Sequence, residues 1–230
     1  MPISIPGFSD PFSSLSHLAG ALIFLVLSIP LVRRGAGNDG RVASLRIFSF
    51  GAVLLLSTSG VYHLLDPYGM PRYVMRALDH AAIFVLIASS FTPIHVILFR
   101  GFGRWGMLLL VWVFAIAAIT AQTVYDMPYA VGLALYLGMG WLGLISGIAL
   151  WRRFGFNFVE PLLWGGVAYS IGAIMEFLRW PVLIPGVLQW HEVFHVAVLI
   201  GLAFHWSLIY AIADGRLAPR LFTLDNAPAQ

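Results

Sequence analysis

The sequence predicts an all-α integral membrane protein, a bundle of seven transmembrane helices, on three observations. The chain of 230 residues is 60% hydrophobic and only 10% charged, with a mean hydropathy of +0.89. A soluble domain carries roughly 25% charged residues, so this chain lacks the polar surface to stay in water. Its apolar residues fall into seven continuous windows, each long enough to cross a bilayer core as a helix. The separators are short and rich in Gly, Pro and Arg, whereas a membrane β-barrel would alternate apolar and polar residues over about ten positions.

In order, the windows run over about 15–32, 44–65, 78–99, 105–121, 129–150, 160–179 and 188–213. The first ends at Arg33-Arg34-Gly35 and the second at Asp66-Pro67, with Met70-Pro71 closing that loop before the third. Arg100-Gly101 divides the third from the fourth, Asp126-Met127-Pro128 the fourth from the fifth, Arg152-Arg153 the fifth from the sixth, and Pro181 to Gly186 the sixth from the seventh. This divides the chain into an N-terminal segment (1–14), a transmembrane domain (15–213) and a polar C-terminal tail (214–230). No Arg precedes the first window and no small-residue cleavage site follows a short hydrophobic core, so it is expected to stay in the protein. The loops after the odd-numbered spans and the tail hold most of the arginines, predicting the N-terminus outside and the C-terminus inside.

Composition also narrows the chemistry. There is no cysteine, and the 13 basic residues are all arginine. That excludes disulfides, thiolate metal sites, a lysine base and a phosphate-loop lysine. A formal net charge of +3 spread over loops is a topology signal, and no nucleic-acid partner is expected. Any metal must sit on His, Asp or Glu.

Ionisable groups inside spans cost about 2.5–3.5 kcal/mol each at a helix centre, so each asks for a partner. In an up-and-down bundle the end of span two, the start of span three, the end of span six and the start of span seven meet at one face. Ser59 and His63, Asp79 and His80, Glu176, and His191 and His195 occupy these positions. His191 and His195, at i and i+4, lie on one helix face a turn apart and can share a metal. With His63 they could hold zinc and leave a fourth position for an activated water, with Asp79 handling its proton and Ser59 bonding a nearby partner or an oxyanion. His80 is a weaker candidate ligand. His17, His95 and His205 are assigned to packing or interhelical hydrogen bonds, His205 lying some 20 Å along the helix from His191. Glu176 and Arg179, at i and i+3, are expected to pair. His191-Glu192-Val193-Phe194-His195 also matches the metallopeptidase string H-E-x-x-H, in which the Glu is the general base.

Ser59-Gly-Val-Tyr-His63, Leu78-Asp79-His80 with Phe91-Thr92-Pro93, Tyr136-Leu-Gly-Met-Gly-Trp141, Gly165-Gly166 with Tyr169, and His191-x-x-x-His195 together resemble the hemolysin III family. That is the bacterial branch of the progestin and adipoQ receptor group, related more distantly to alkaline ceramidases. The resemblance spans nearly the whole chain. It implies a seven-helix protein of the bacterial inner (plasma) membrane, with zinc held by His63, His191 and His195 and with Ser59 and Asp79 near the metal water. It further implies hydrolysis of a lipid amide or ester as a ceramidase does, or alternatively a non-catalytic receptor or membrane-fluidity sensor with structural zinc. The adiponectin-receptor relatives carry the metal on the inner side, the reverse of the sidedness predicted by the arginines.

Overall fold

Residues 9–125 and 127–217 are described by the structure, a computed structural model. They form eight α-helices: α1 (Pro11–Arg34), α2 (Asp39–Leu64), α3 (Met70–Leu98), α4 (Gly101–Val124), α5 (Tyr129–Trp141), α6 (Gly143–Phe154), α7 (Phe156–Leu178) and α8 (Trp190–Ile212). With α5 and α6 counted as one continuous stretch, seven segments are long and apolar enough to cross a membrane. The all-α fold and the seven spans therefore stand as the sequence predicts. Positions 218–230 of the polar tail, most of the N-terminal segment (1–8) and Asp126 of the fourth separator lie outside the described residues.

Two differences from the sequence windows have physical causes. α3 begins at Met70, eight residues before its apolar window, because Pro71 in its first turn is already set for helix and the mixed sequence that follows is only partly buried. The fifth span is interrupted at Leu142, which keeps right-handed helical angles (φ −55°, ψ −24°). The Leu142 amide donates to Met139 O at 3.3 Å and the Ile145 amide to Leu142 O at 3.1 Å, both i to i−3 bonds. This is a local tightening of the helix rather than an unwound segment.

The helix ends follow from their caps. Pro11 opens α1 in the first turn, and Asn38 Oδ1 accepts the Arg41 amide at 2.9 Å to cap α2. Gln189 and Glu192 cap α8 reciprocally, each side chain bonding the other's backbone amide. Thr92 and Ser90 return their hydroxyls to the backbone carbonyls of Ala88 and Leu86 in the turn before the internal Pro93 of α3.

α2 packs between α1 and α3, α7 packs along α8, and α8 returns to α1, so that first and last spans close the bundle. Leu31, Phe48, Leu56, Leu202, Trp206 and Ile209 fill the core among α1, α2 and α8, and Phe84, Val111 and Met139 form a second core among α3, α4 and α5. Leu22, Val26, Leu109, Ile116 and Ile145 face outward, where in a bilayer they meet lipid. Close approach of helices in lipid depends on small residues. At Gly172 of α7, an added Cβ would stand 2.7 Å from the Cβ of Ala197 on α8, an atom that cannot turn aside. Gly138 of α5 has nothing within 4 Å of that position. Gly172→Ala is therefore expected to lower stability by about 1–3 kcal/mol, whereas Gly138→Ala leaves it unchanged or raised; thermal unfolding of the two variants in one detergent checks this.

Candidate metal centre

The polar layer forms where the end of α2 meets the start of α8. His63 sits in the last turn of α2, and His191 and His195 in the first two turns of α8. Their three rings converge, with a ligand atom from each lying within 4.8 Å of the others. His191 Nε2 is 3.2 Å from His63 Nε2 and 3.2 Å from His195 Nε2. A tetrahedral zinc with bonds of 2.0–2.1 Å sets its nitrogens about 3.3 Å apart, so this spacing fits one shared ion.

The other ring nitrogens explain why the Nε2 atoms point inward. His63 Nδ1 lies 2.9 Å from Asp10 Oδ2, His191 Nδ1 3.2 Å from Glu176 Oε2, and His195 Nδ1 3.0 Å from His17 Nε2. A carboxylate accepts and does not donate, which places a proton on Nδ1 of His63 and of His191 and leaves their Nε2 lone pairs facing each other. His17 Nε2 lies 3.0 Å from His195 Nδ1 and 3.4 Å from His195 O, and His195 presents its Nε2 lone pair in the tautomer whose Nδ1–H donates to His17. Three lone pairs converging between two buried rings and the half-buried ring of His191 repel unless a proton or a metal ion sits among them. The donor set is all imidazole, each ring held from behind, which is how metal-ligating histidines are oriented.

Asp10 is the best anchored of these outer groups. It precedes Pro11, its amide donates to His63 O at 3.0 Å, and Arg72 of α3 donates to its Oδ2 at 2.7 Å. Arg72 also donates to Leu65 O at 2.7 Å and lies over the Tyr62 ring at 4.7 Å. Burial alone would raise the Asp10 pKa, but the bonds from His63 and Arg72 outweigh it and hold the carboxyl at about 2.

Asp79 of α3 and Ser59 of α2 are both buried on the wall of the layer. They line, together with the three histidines, a cavity of about 940 Å³ that continues between α3, α5, α6, α7 and α8. Past the polar layer its walls are largely apolar, with Leu86, Ile94, Leu162 and Val198 among them. His80 lines the cavity but is not in the three-histidine group.

Several assignments change in the structure. Glu176 bonds His191 and not Arg179, because the left-handed turn at Arg179 (φ 53°) ends α7 and leaves the carboxylate aimed at α8. His17 makes the interhelical bond expected of it, but to His195 at the centre of the layer. His95 bonds Gly103 O and Ser146 Oγ, both at 2.9 Å, and His205 bonds Leu162 O at 3.3 Å, as interhelical groups. Asp10 has no place in the sequence reading; Asp-Pro marks the start of α1, but the Asp10 side chain makes no cap bond and meets His63 and Arg72 instead.

A seven-span membrane bundle with a converging three-histidine layer at one end defines the class. A family model described as Haemolysin-III related matches residues 8–206, and the chain belongs to that family. It is 28% identical over 205 residues to "Hemolysin-3" of Bacillus cereus, covering 87% of this chain and 90% of the relative. A "Hemolysin-3 homolog" of Bacillus subtilis (strain 168) is likewise 28% identical over 205 residues, with 87% and 93% covered. "Progestin and adipoQ receptor-like protein 1" of Caenorhabditis elegans is 27% identical over 248 residues, covering 93% of this chain and 56% of that relative.

The H-E-x-x-H string has a different use here. Glu192 Oε2 accepts the Gln189 amide at 2.9 Å and Oε1 faces the Ser13 hydroxyl at 3.4 Å, so both oxygens serve the junction of α8 with α1. Glu192→Gln, which keeps an acceptor at the cap, is expected to retain stability to within about 0.5 kcal/mol, and Glu192→Ala to lose about 1 kcal/mol. Thermal unfolding separates the two; equal and large losses would point to a role for the charge itself.

Proposed function

We propose that the protein is a zinc-dependent intramembrane hydrolase of a lipid amide or ester, with His63, His191 and His195 as ligands. The observation that carries this reading is the convergence of three rear-anchored imidazoles at the head of an apolar cavity within the bundle. A zinc ion held there supplies Lewis acidity and brings the pKa of its water down to about 7. The cavity takes an acyl chain and presents its carbonyl to the polar layer. Asp79, on the same cavity wall as Ser59, accepts the proton of the attacking water on a carboxylate oxygen and returns it to the leaving amine or alkoxide as the acyl C–N or C–O bond breaks. The arginine distribution favours this layer on the outer side of a bacterial plasma membrane.

Elemental analysis of detergent-purified protein should find about one zinc per chain, lost in a His191→Ala, His195→Ala double variant. Asp79→Asn should keep the zinc and lose about 100-fold or more in turnover on lipid amides or esters. Zinc retained without turnover of either class by the native chain would shift the reading to a receptor or fluidity sensor with structural metal. No metal in the folded protein would overturn both.

The rear bonds make a separate claim. Asp10→Asn should weaken zinc binding by about 10-fold, read by competition with a chelator of known affinity, because outer carboxylates orient the ring and raise its basicity. An unchanged affinity would mean that packing alone orients His63.

A further inference from the structure

At the end of the bundle opposite the histidines, a second and smaller cavity of about 210 Å³ lies where the starts of α2 and α4 meet the exit of α8. Arg41, Arg100 and Arg104 line it, with Asn38, Gly40 and Gly215, and among the described residues no carboxylate lines it. The arginines come from two separate helix starts. Arg41 is held by Gly35 O at 3.4 Å and Ala36 O at 3.1 Å, and Arg104 by Phe99 O at 2.8 Å. Backbone carbonyls thus fix two guanidinium groups while leaving other N–H donors of each uncommitted to those bonds. Among the described residues neither Arg41 nor Arg104 has a carboxylate within ion-pair distance; Asp214, next to Gly215, is committed to Arg34 at 3.1 Å and Arg216 at 3.6 Å. Gly215, at φ +71°, packs so closely on the Arg41 guanidinium that a Cβ there would collide with it, so the exit of α8 forms one wall.

We propose that this cavity binds a phosphate group, carried either by an anionic phospholipid or by a soluble phosphate. The Arg41 and Arg104 guanidinium groups, fixed around one small volume, repel, and an anion that accepts from their planar forks relieves the repulsion. Phosphate fits because it offers several acceptor oxygens to donors arriving from different directions, and the lipid headgroup layer lies at this depth if the bundle spans the bilayer. The site shares no residue with the metal layer, so its test is independent of hydrolysis.

The full chain in detergent is titrated separately with inorganic phosphate and with dihexanoyl phosphatidylglycerol, with dihexanoyl phosphatidylcholine as the neutral control. Binding is followed by the rise in thermal midpoint and by native mass spectrometry. At least one of the two anions should bind, and Arg104→Gln and Arg41→Gln should each weaken it by about tenfold, the loss of one charge-assisted contact. Arg33→Gln removes the same charge from the same end of the bundle without touching the cavity and should change nothing; Arg104→Lys, which preserves charge without the fork, should fall between. Saturation by phosphate alone assigns a soluble ligand, and by phosphatidylglycerol alone a lipid headgroup. Binding of neither anion, equal binding of phosphatidylcholine, or an equal loss in Arg33→Gln would overturn the proposal.

Discussion

Everything at the polar end depends on three Nδ1 to acceptor bonds. An imidazole in a membrane bundle has two nitrogens to satisfy and little water to do it with, so fixing one nitrogen decides what the other can do. Asp10, Glu176 and His17 take the Nδ1 side of His63, His191 and His195. Those acceptors come from the lead-in to α1, from α7 and from α1 itself, while the ligands come from α2 and α8. The shared point thus exists only when four helices are docked, and an ion placed there would join them in return.

The ring closure of the bundle serves the same arrangement. α1 must lie against α8 for His17 to reach His195, and against α2 for Asp10 to reach His63. Gly20 and Gly60 provide that fit: a Cβ on Gly20 would stand 2.7 Å from Leu199 Cδ2, and one on Gly60 would stand 2.6 Å from Leu18 Cγ. Ser14 closes the seam by donating to Gly60 O at 2.8 Å. At the other side of the cavity α5 and α6 have few tight partners, and the space they leave is what becomes the apolar chamber. Dense packing orients the polar residues, and looser packing beside it leaves room for a ligand.

How much of this was legible in the sequence follows from which periodicities carry which information. The seven spans were readable because hydropathy over about 20 residues is a property of composition and survives errors of register. The grouping of His63, His191 and His195 was readable because alternating helix direction places the relevant ends together and because i, i+4 spacing fixes one face. Asp10, His17 and Glu176 were hard to assign because their roles depend on rotation of α1 and α7 about their own axes, which spacing within one helix does not set. The Glu176 to Arg179 pairing failed for a related reason: the i, i+3 rule assumes that the helix continues, and the chain leaves helical geometry at Arg179. The interruption at Leu142 was invisible because its residues are as apolar as their neighbours, and only the hydrogen-bond pattern changes.

The H-E-x-x-H string shows why a motif must be read with its position in the helix. In the middle of a helix every amide is committed to a carbonyl four residues back, and a Glu side chain there is free for chemistry. His191 to His195 instead occupy the first turns of α8, where the leading amides have no intrahelical acceptor. Glu192 is the third residue of that helix, the position whose carboxylate reaches the cap amide of Gln189, and its other oxygen meets Ser13 across the α1 junction. The two histidines keep the spacing that lets them share an ion, because that depends on helix geometry alone, whereas the acid between them is claimed by the helix terminus. The proton-handling carboxylate of the proposed reaction consequently has to come from another span; the chamber wall presents Asp79 and Glu176, and since Glu176 is committed to His191 Nδ1, Asp79 is left for that role.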